Sequence, residues 1–440
     1  MPGKYLQIKY GLAGLKGEVM KKSLLLIITF TVILTGFFSP PAKAQEQPQV
    51  IPVFIDGLPV VFDVQPVIAN GRTLVPFRAV AEALNVNVTW DGANQTILAS
   101  DGKISVRLQI GDITAYRNEI PVTLEAPPVI LDGRTLIPLR FFSEAFNCQV
   151  VWDEVLRGVK IASPLKLMTV TGFYALGDKE TSSWTNLFAK AYPAEGSGNT
   201  DVVSVLALGW YSLDKKGNLL SDSDSGWRRP DGWEDILKAA DKYNLKTEMV
   251  VQLTDGDGTL TNLLTNQAAM DKAISGITKE SLSYKGVNLD FEGLGWRDQG
   301  EKLTSVRSDF AKFVRLLSGE LKKNGRSLTL TLHAPNSAYK GYDYQVLGGL
   351  ADRIIIMAYD YGSQPEPLDL VIEAVEMARA AVPAEKLALG ISTPSETADS
   401  ILSKVGVAKR YNLQGIAIWR LGLVSSEMWT ALRSSVQPRP

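Results

Sequence analysis

The sequence predicts an α/β protein: a C-terminal (β/α)8 TIM barrel, preceded by a small α+β tandem-repeat domain and a signal peptide. Three observations predict this. Eight apolar, β-rich runs alternate with helix-length amphipathic segments over residues 164–440. An eight-residue motif recurs at an offset of 62 residues. A short apolar run near the start ends in a small-residue exit site.

The bulk numbers narrow the chemistry first. Hydrophobic residues make up 45% of the 440 and charged residues 21%, which excludes wholesale disorder. The net charge of −1, with no basic tail, argues against a nucleic-acid partner held through phosphates. Cys148 is the only cysteine, so no intrachain disulfide and no cysteine-based metal site can form. His333 is the only histidine, which rules out a histidine-rich metal centre. Carboxylates, tyrosines, lysines and backbone remain, and neither a metal nor a cofactor is expected.

Residues 1–44 read as an address. Lys21 and Lys22 precede the apolar run Leu24–Phe38, whose 15 residues fall short of the roughly 20 that a spanning helix needs. Pro40, Pro41 and Ala42-Lys43-Ala44 follow as a cleavage site. Removal leaves a mature chain of charge −6. The expected location is outside the cell, against the wall, with no stable membrane anchor.

Residues 45–163 hold two repeats, about 50–101 and 105–163. Gly71-Arg72-Thr73-Leu74-Val75-Pro76-Phe77-Arg78 returns as Gly133-Arg134-Thr135-Leu136-Ile137-Pro138-Leu139-Arg140, and Trp90-Asp91 returns as Trp152-Asp153. Asn70-Gly71 and Asp132-Gly133 predict tight hairpins. Pro76 and Pro138 are expected to open helices at the first turn, and Val86–Trp90 alternates like a strand. This grammar resembles the copper amine oxidase N-terminal-like stalk domain of exported bacterial proteins. The resemblance implies a wall-associated spacer or binding module and not copper chemistry, because the region contains no histidine. Arg72, Arg134, Trp90 and Trp152 read as turn and core positions in preference to ligand contacts.

In the last part, residues 164–440, the expected strands are Met168–Tyr174, Asp201–Trp210, Lys246–Leu253, Tyr284–Glu292, Ser327–His333, Arg353–Tyr361, Lys386–Ile391 and Gly415–Trp419. Helical patterns lie between them at Trp233–Tyr243, Gln267–Lys279, Leu303–Lys323 and Leu368–Val382. A doubly wound sheet would carry a glycine-rich phosphate turn after its first strand, which Gly172–Gly177 does not match.

The fourth strand concentrates the chemistry. In Lys285-Gly286-Val287-Asn288-Leu289-Asp290-Phe291-Glu292-Gly293, the period of two puts Asn288, Asp290 and Glu292 on one face and Val287, Leu289 and Phe291 on the other. On a barrel strand the polar row points inward near the mouth, where desolvation and repulsion hold one acid protonated. A half-exposed antiparallel strand with solvated carboxylates would show the same alternation.

Beyond alternation, GVNLDFEG resembles the catalytic strand of glycoside hydrolase family 18, in the variant found in bacterial wall and spore-cortex N-acetylglucosaminidases. Met357-Ala358-Tyr359-Asp360 is similar to that family's sixth-strand motif, Gly415–Trp419 to its eighth strand, and Trp210-Tyr211 to its second. The resemblance implies Glu292 as general acid and Asp290 as its proton-sharing partner and acetamido orienter. It implies Tyr359 as a donor to the acetamido carbonyl and Trp419 as a sugar-stacking floor. Asn288, Asp360, Met357, Tyr174, Trp210 and His333 complete the expected substrate-binding set. For His333 a plain hydrogen-bonded role is an open alternative, and for Asp360 only the motif argues. Lys285 and Asn288 replace two aspartates of the family signature; Asn288 can still hydrogen-bond Asp290 but cannot take its proton. Residues 392–413 leave no room for a cleft-deepening insertion, so a shallow groove is expected. Asp255-Gly256-Asp257-Gly258 lacks the remaining ligands of a calcium loop and reads as the turn after the third strand.

The expected activity is cleavage of β-1,4 bonds in a polymer containing N-acetylglucosamine, peptidoglycan first, by a substrate-assisted retaining mechanism. A chitinase of the same chemistry and a lapsed sugar-binding wall protein are the alternatives.

Overall fold

The computed structural model describes residues 50–175, 181–223 and 228–439; the expected signal peptide lies outside them. Eight parallel strands form the C-terminal barrel: β1 (Lys166–Tyr174), β2 (Val205–Leu213), β3 (Lys246–Thr254), β4 (Gly286–Glu292), β5 (Ser327–His333), β6 (Arg353–Met357), β7 (Leu387–Ser392) and β8 (Gly415–Trp419). Neighbours pair in sequence order, and β1 pairs with both β2 and β8, which closes the sheet. The fold class is therefore the TIM-like barrel that the alternation predicted, with a β-rich region before it.

The strands build two cores by alternation. Outward rows such as Leu206 and Leu208, Val287 and Leu289, and Ile354 and Ile356 pack under the surrounding helices. Each such side chain, fully buried, contributes about 1.5–3 kcal/mol. The helix Gly300–Lys323 places Phe310 and Phe313 at 6.2 and 5.5 Å from the Phe291 ring. The interior core is small: Phe173, Ala207, Val250, Ile355, Ala388 and Ala417, with Trp419 packed against it. Three alanines leave room there for polar side chains.

Two strand ends differ from expectation. The sixth strand stops at Met357, because Asp360 takes φ +65° and the amides of Asp360 and Tyr361 donate to the Glu366 carboxylate instead of a ladder. The second begins at Val205 and runs to Leu213, with an irregularity between Gly209 and Tyr211.

In the repeats, the hairpins Val67–Ala69/Arg72–Pro76 and Val129–Leu131/Arg134–Pro138 turn at Asn70-Gly71 and Asp132-Gly133. All four of those turn residues have positive φ, as a primed hairpin turn demands. Pro76 and Pro138 end strands and immediately precede the helices Phe77–Ala83 and Leu139–Ala145. They do not open the helices as expected, because Pro76 stays in register opposite Leu136 and Pro138 opposite Leu74. The same antiparallel pairing joins the two repeats through equivalent strands. Asp91 and Asp153 each accept two amides of the turn that follows. Arg72 pairs with Glu125 of the second repeat, and Arg134 pairs with Asp63 of the first. The first strand of the tandem, Val53–Ile55, lies parallel to the last, Gly158–Ala162.

From Val50 onward the chain is one compact unit. Leu58, wholly buried, belongs to the barrel's outer core. Lys409 Nζ lies 3.4 Å from Asp56 Oδ1 and donates to Ser163 Oγ at 3.0 Å, while Arg410 donates to the carbonyls of Leu58 and Pro59. A Cβ on Gly406 would stand 2.1 Å from the Asp56 carbonyl oxygen, so only glycine lets the turn come this close. Among the described residues no helix is long and apolar enough to cross a membrane.

Candidate active site

The inward row of β4 rises from Asn288 through Asp290 to Glu292. Asn288 is fully buried; its amide donates to Glu248 on β3 at 3.4 Å and its oxygen accepts from Thr331 on β5 at 2.8 Å. Glu248, also buried, accepts from Thr329 at 2.8 Å and lies 3.6 Å from Arg353, which donates to Thr171. A polar network thus fills the barrel beneath the acid pair, and Asn288 belongs to it. Its hydrogen bonds go there and not to Asp290 as expected. Lys285 precedes β4 and is exposed, outside the barrel interior.

Asp290 is 4% exposed, and its Oδ1 has no hydrogen-bond partner among the described residues. Burial, reinforced by the Glu292 charge, pushes its carboxyl well above the usual range. Glu292 stands one step higher, half-buried at the mouth. Its pKa is also raised, by burial and by the Asp360 charge, against a hydrogen bond from Gln252 at 3.3 Å that favours the anion. After Glu292 the chain must turn sharply over Asp255, and Gly293 does so at φ +86°.

His333 ends β5 with Nε2 3.8 Å from Glu292 Oε2, its ring stacked on Tyr339 at 4.0 Å. Burial lowers its pKa to about 4, so it is neutral at physiological pH. Tyr359 is half-buried. Burial and the charges of Asp290, Glu292 and Asp360 raise its pKa, which keeps its hydroxyl a donor. Gly390 on β7 makes room for that ring: a Cβ there would lie 3.0 Å from Tyr359 Cε1. Met357 is buried beside His333 in the β5–β6 register. Trp419 sits edge-on to Phe173 at 5.4 Å, above the interior core. Asp360 is exposed and lies past the strand end, so strand parity does not govern where it points.

Tyr174 and Trp210 are not part of this cluster. Trp210 shares the outward parity of Leu206 and Leu208, is wholly buried, and packs between Tyr174 at 6.4 Å and Trp233 at 6.3 Å. Both belong to the core beneath the helices, where no substrate reaches, so the expectation that they bind it is corrected.

Sequence reasoning missed Gln252, whose signal was a lone amide in an apolar run, and Glu366, whose role depends on a loop. It also missed Tyr339 and the exposed Trp296, whose backbones form an antiparallel bridge at the rim. Asp255 accepts from the amide and hydroxyl of Thr261, and Asp257 from the Thr259 amide. The acidic loop after β3 therefore starts the helix Thr259–Thr265. No cluster of three or more metal-ligating side chains occurs among the described residues.

Residues 54–161 match the family described as the copper amine oxidase N-terminal domain. A sporulation-specific glycosylase of Bacillus subtilis is 30% identical over 155 residues, 33% of this chain and 33% of that protein. The cortical fragment-lytic enzyme of Bacillus anthracis is 25% identical over 35% of this chain and 40% of its own length. The chain thus spans about a third of the first relative and two fifths of the second. Among solved structures, the Bacillus cereus spore cortex-lytic enzyme SleL aligns at a TM-score of 0.51 and 16% identity. That alignment covers 63% of this chain and 76% of the other. A chitinase from Chromobacterium violaceum aligns at 0.50 and 18%, covering 61% and 98%. The chain shares their fold, and the likeness read from its motifs holds for the tandem repeats and for the barrel.

Proposed function

We propose that this chain is a secreted glycosidase that cleaves β-1,4 bonds after N-acetylglucosamine, with peptidoglycan as the polymer and the repeats holding it at the wall. The observation that carries the reading is the buried Asp290, with its unpartnered oxygen, directly beneath a mouth-facing Glu292 whose pKa is also raised. Such a coupled pair holds a proton near neutral pH, with burial favouring it on Asp290, and passing it to Glu292 supplies what protonating a leaving glycosidic oxygen requires.

In this mechanism Glu292 gives its proton to the glycosidic oxygen as the C1–O bond breaks. The substrate's own acetamido oxygen attacks C1, so no second carboxylate across the cleft is needed. The free Oδ1 of Asp290 accepts the acetamido N–H, Tyr359 donates to the acetamido oxygen, and Trp419 supplies the face under the sugar. Glu292, now a carboxylate, takes a proton from the water that attacks C1, and the bond from C1 to the acetamido oxygen breaks, which restores the acetamido group. Neutral His333, stacked on Tyr339, borders Glu292 on the β5 side of the mouth. Asn288 serves the network below instead of touching sugar. The relatives named for cortex lysis favour peptidoglycan over chitin; the chitinase structure in the comparison keeps chitin as the second reading.

The test is digestion of purified peptidoglycan and of chitin oligomers, with mass analysis of the products. Glu292→Gln is expected to lower turnover by about 10²-fold or more while oligosaccharide binding persists. Unchanged hydrolysis in that variant overturns the assignment. Chitobiose from chitin without muropeptides from wall replaces peptidoglycan by chitin.

A further inference from the structure

The repeats share more than their fold requires. Asp91 and Asp153 cap turns, Arg72 and Arg134 tie the repeats together, and the apolar positions fill a core. Those needs leave three exposed or half-exposed identities unexplained: Arg78 and Arg140, Glu82 and Glu144, Trp90 and Trp152. The two arginines and two glutamates enter no ion pair among the described residues. Trp152 is half-buried against the repeat core, but Trp90, its counterpart, is 40% exposed and joins no core, which corrects the reading of it as a packing residue.

In the second repeat these side chains line a cleft of about 570 Å³, where Trp152 and Phe141 meet Arg140, Glu144 and the Arg72–Glu125 pair. Its lining carries two positive and two negative groups. Guanidinium groups only donate hydrogen bonds and carboxylates only accept them. A hydroxyl does both and satisfies the whole set. A phosphate would match the arginines and be repelled by the glutamates, and an ammonium would do the reverse. Indole and phenyl faces beside such mixed polar groups suit a pyranose ring, apolar on its faces and polar at its edge. The first repeat carries the same trio, Arg78, Glu82 and Trp90, 62 residues earlier, with Ala79 in place of Phe141.

The geometry points to the tandem repeats as a two-site binder of a neutral glycan strand, with Trp152 and Trp90 as the stacking platforms. Two such platforms in one compact unit would gain strength on a polymer through effective concentration. The inference rests on the barrel's proposed chemistry only for the identity of that polymer.

The test uses the full chain carrying Glu292→Gln, sedimented with insoluble peptidoglycan and with insoluble chitin. Adding Trp90→Ala and Arg140→Ala, both at exposed positions, is expected to weaken sedimentation about tenfold or more. Trp152→Ala with the fold verified by circular dichroism serves as a second probe. The same substitutions in the chain with Glu292 intact should leave hydrolysis of soluble N-acetylglucosamine oligomers unchanged. Undiminished sedimentation overturns the inference, as does binding that high salt or free stem peptide abolishes and sugar does not. A parent chain that hydrolyses nothing would defeat the barrel assignment and leave the sedimentation result standing.

Discussion

Asp290 and His333 are both buried near Glu292, and pH acts on them in opposite directions. The Asp290 pKa is raised on folding, so its carboxyl supports the fold at low pH and that support is lost as pH rises through the raised value. Asp290→Asn removes this liability. It should stabilise the protein near pH 7.5 by on the order of 1 kcal/mol relative to pH 4, read as a shift in urea midpoint, while hydrolysis collapses. A variant less stable than its parent at pH 7.5 would show that the carboxylate is well solvated there. His333 has the reverse sign. The unfolded chain takes up its proton near 6.5 and the folded one only at about 4. Stability is therefore full above pH 6.5 and falls as pH drops toward 4. His333→Gln should flatten that part of the stability profile by the linkage of about one proton. The inward Asp290 and Glu292 were legible because period-two alternation is a local property of the chain. Trp210 was misplaced although its parity with Leu206 and Leu208 was equally local, since the likeness of Trp210-Tyr211 to a family motif was weighed above the direction of the side chain.

The loop after β6 shows what pattern reading cannot reach at the level of elements. The motif names Tyr359 and Asp360, but their position depends on Glu366, six residues downstream of Asp360, whose carboxylate takes both loop amides. Lys404, buried, donates to the Glu366 carbonyl from the helix Ala398–Arg410. Nothing in the spacing of apolar residues announces a side chain that folds back on its own loop. Glu366→Ala strands two amides and should cost about 1–3 kcal/mol locally. The expected readout is a raised KM and lowered kcat on chitin oligomers with far-UV circular dichroism unchanged. Kinetics equal to the parent's would mean that the loop holds without Glu366. The Glu248–Arg353–Asn288 network was hidden for a similar reason, because its members come from three strands. The barrel itself, by contrast, was readable strand by strand, since each strand carries its own apolar row.

At the scale of the whole molecule, the turn around Asp56–Leu58 fastens the repeats to the barrel. Lys409 and Asp56 are both nearly dry, and taking away one partner of such a pair costs about 3–5 kcal/mol. Lys409→Met is expected to split a single calorimetric unfolding transition into two, the repeats melting apart from the barrel. One unsplit transition in the variant would assign the coupling to Leu58 and Gly406 packing alone. The fastening was invisible in the sequence, where residue 56 and residue 409 are separated by most of the chain.

The crossed pairs Arg72–Glu125 and Arg134–Asp63, with the first strand of the tandem laid beside its last, have a consequence for lineage. Each half lends an acid to the other and borrows one back, as in a two-fold dimer fused into one chain. A solenoid can lengthen by one unit at a time; here a third unit would find both acids already engaged and the tandem's first and last strands already paired with each other. Growth of such an assembly by gene duplication must proceed in twos.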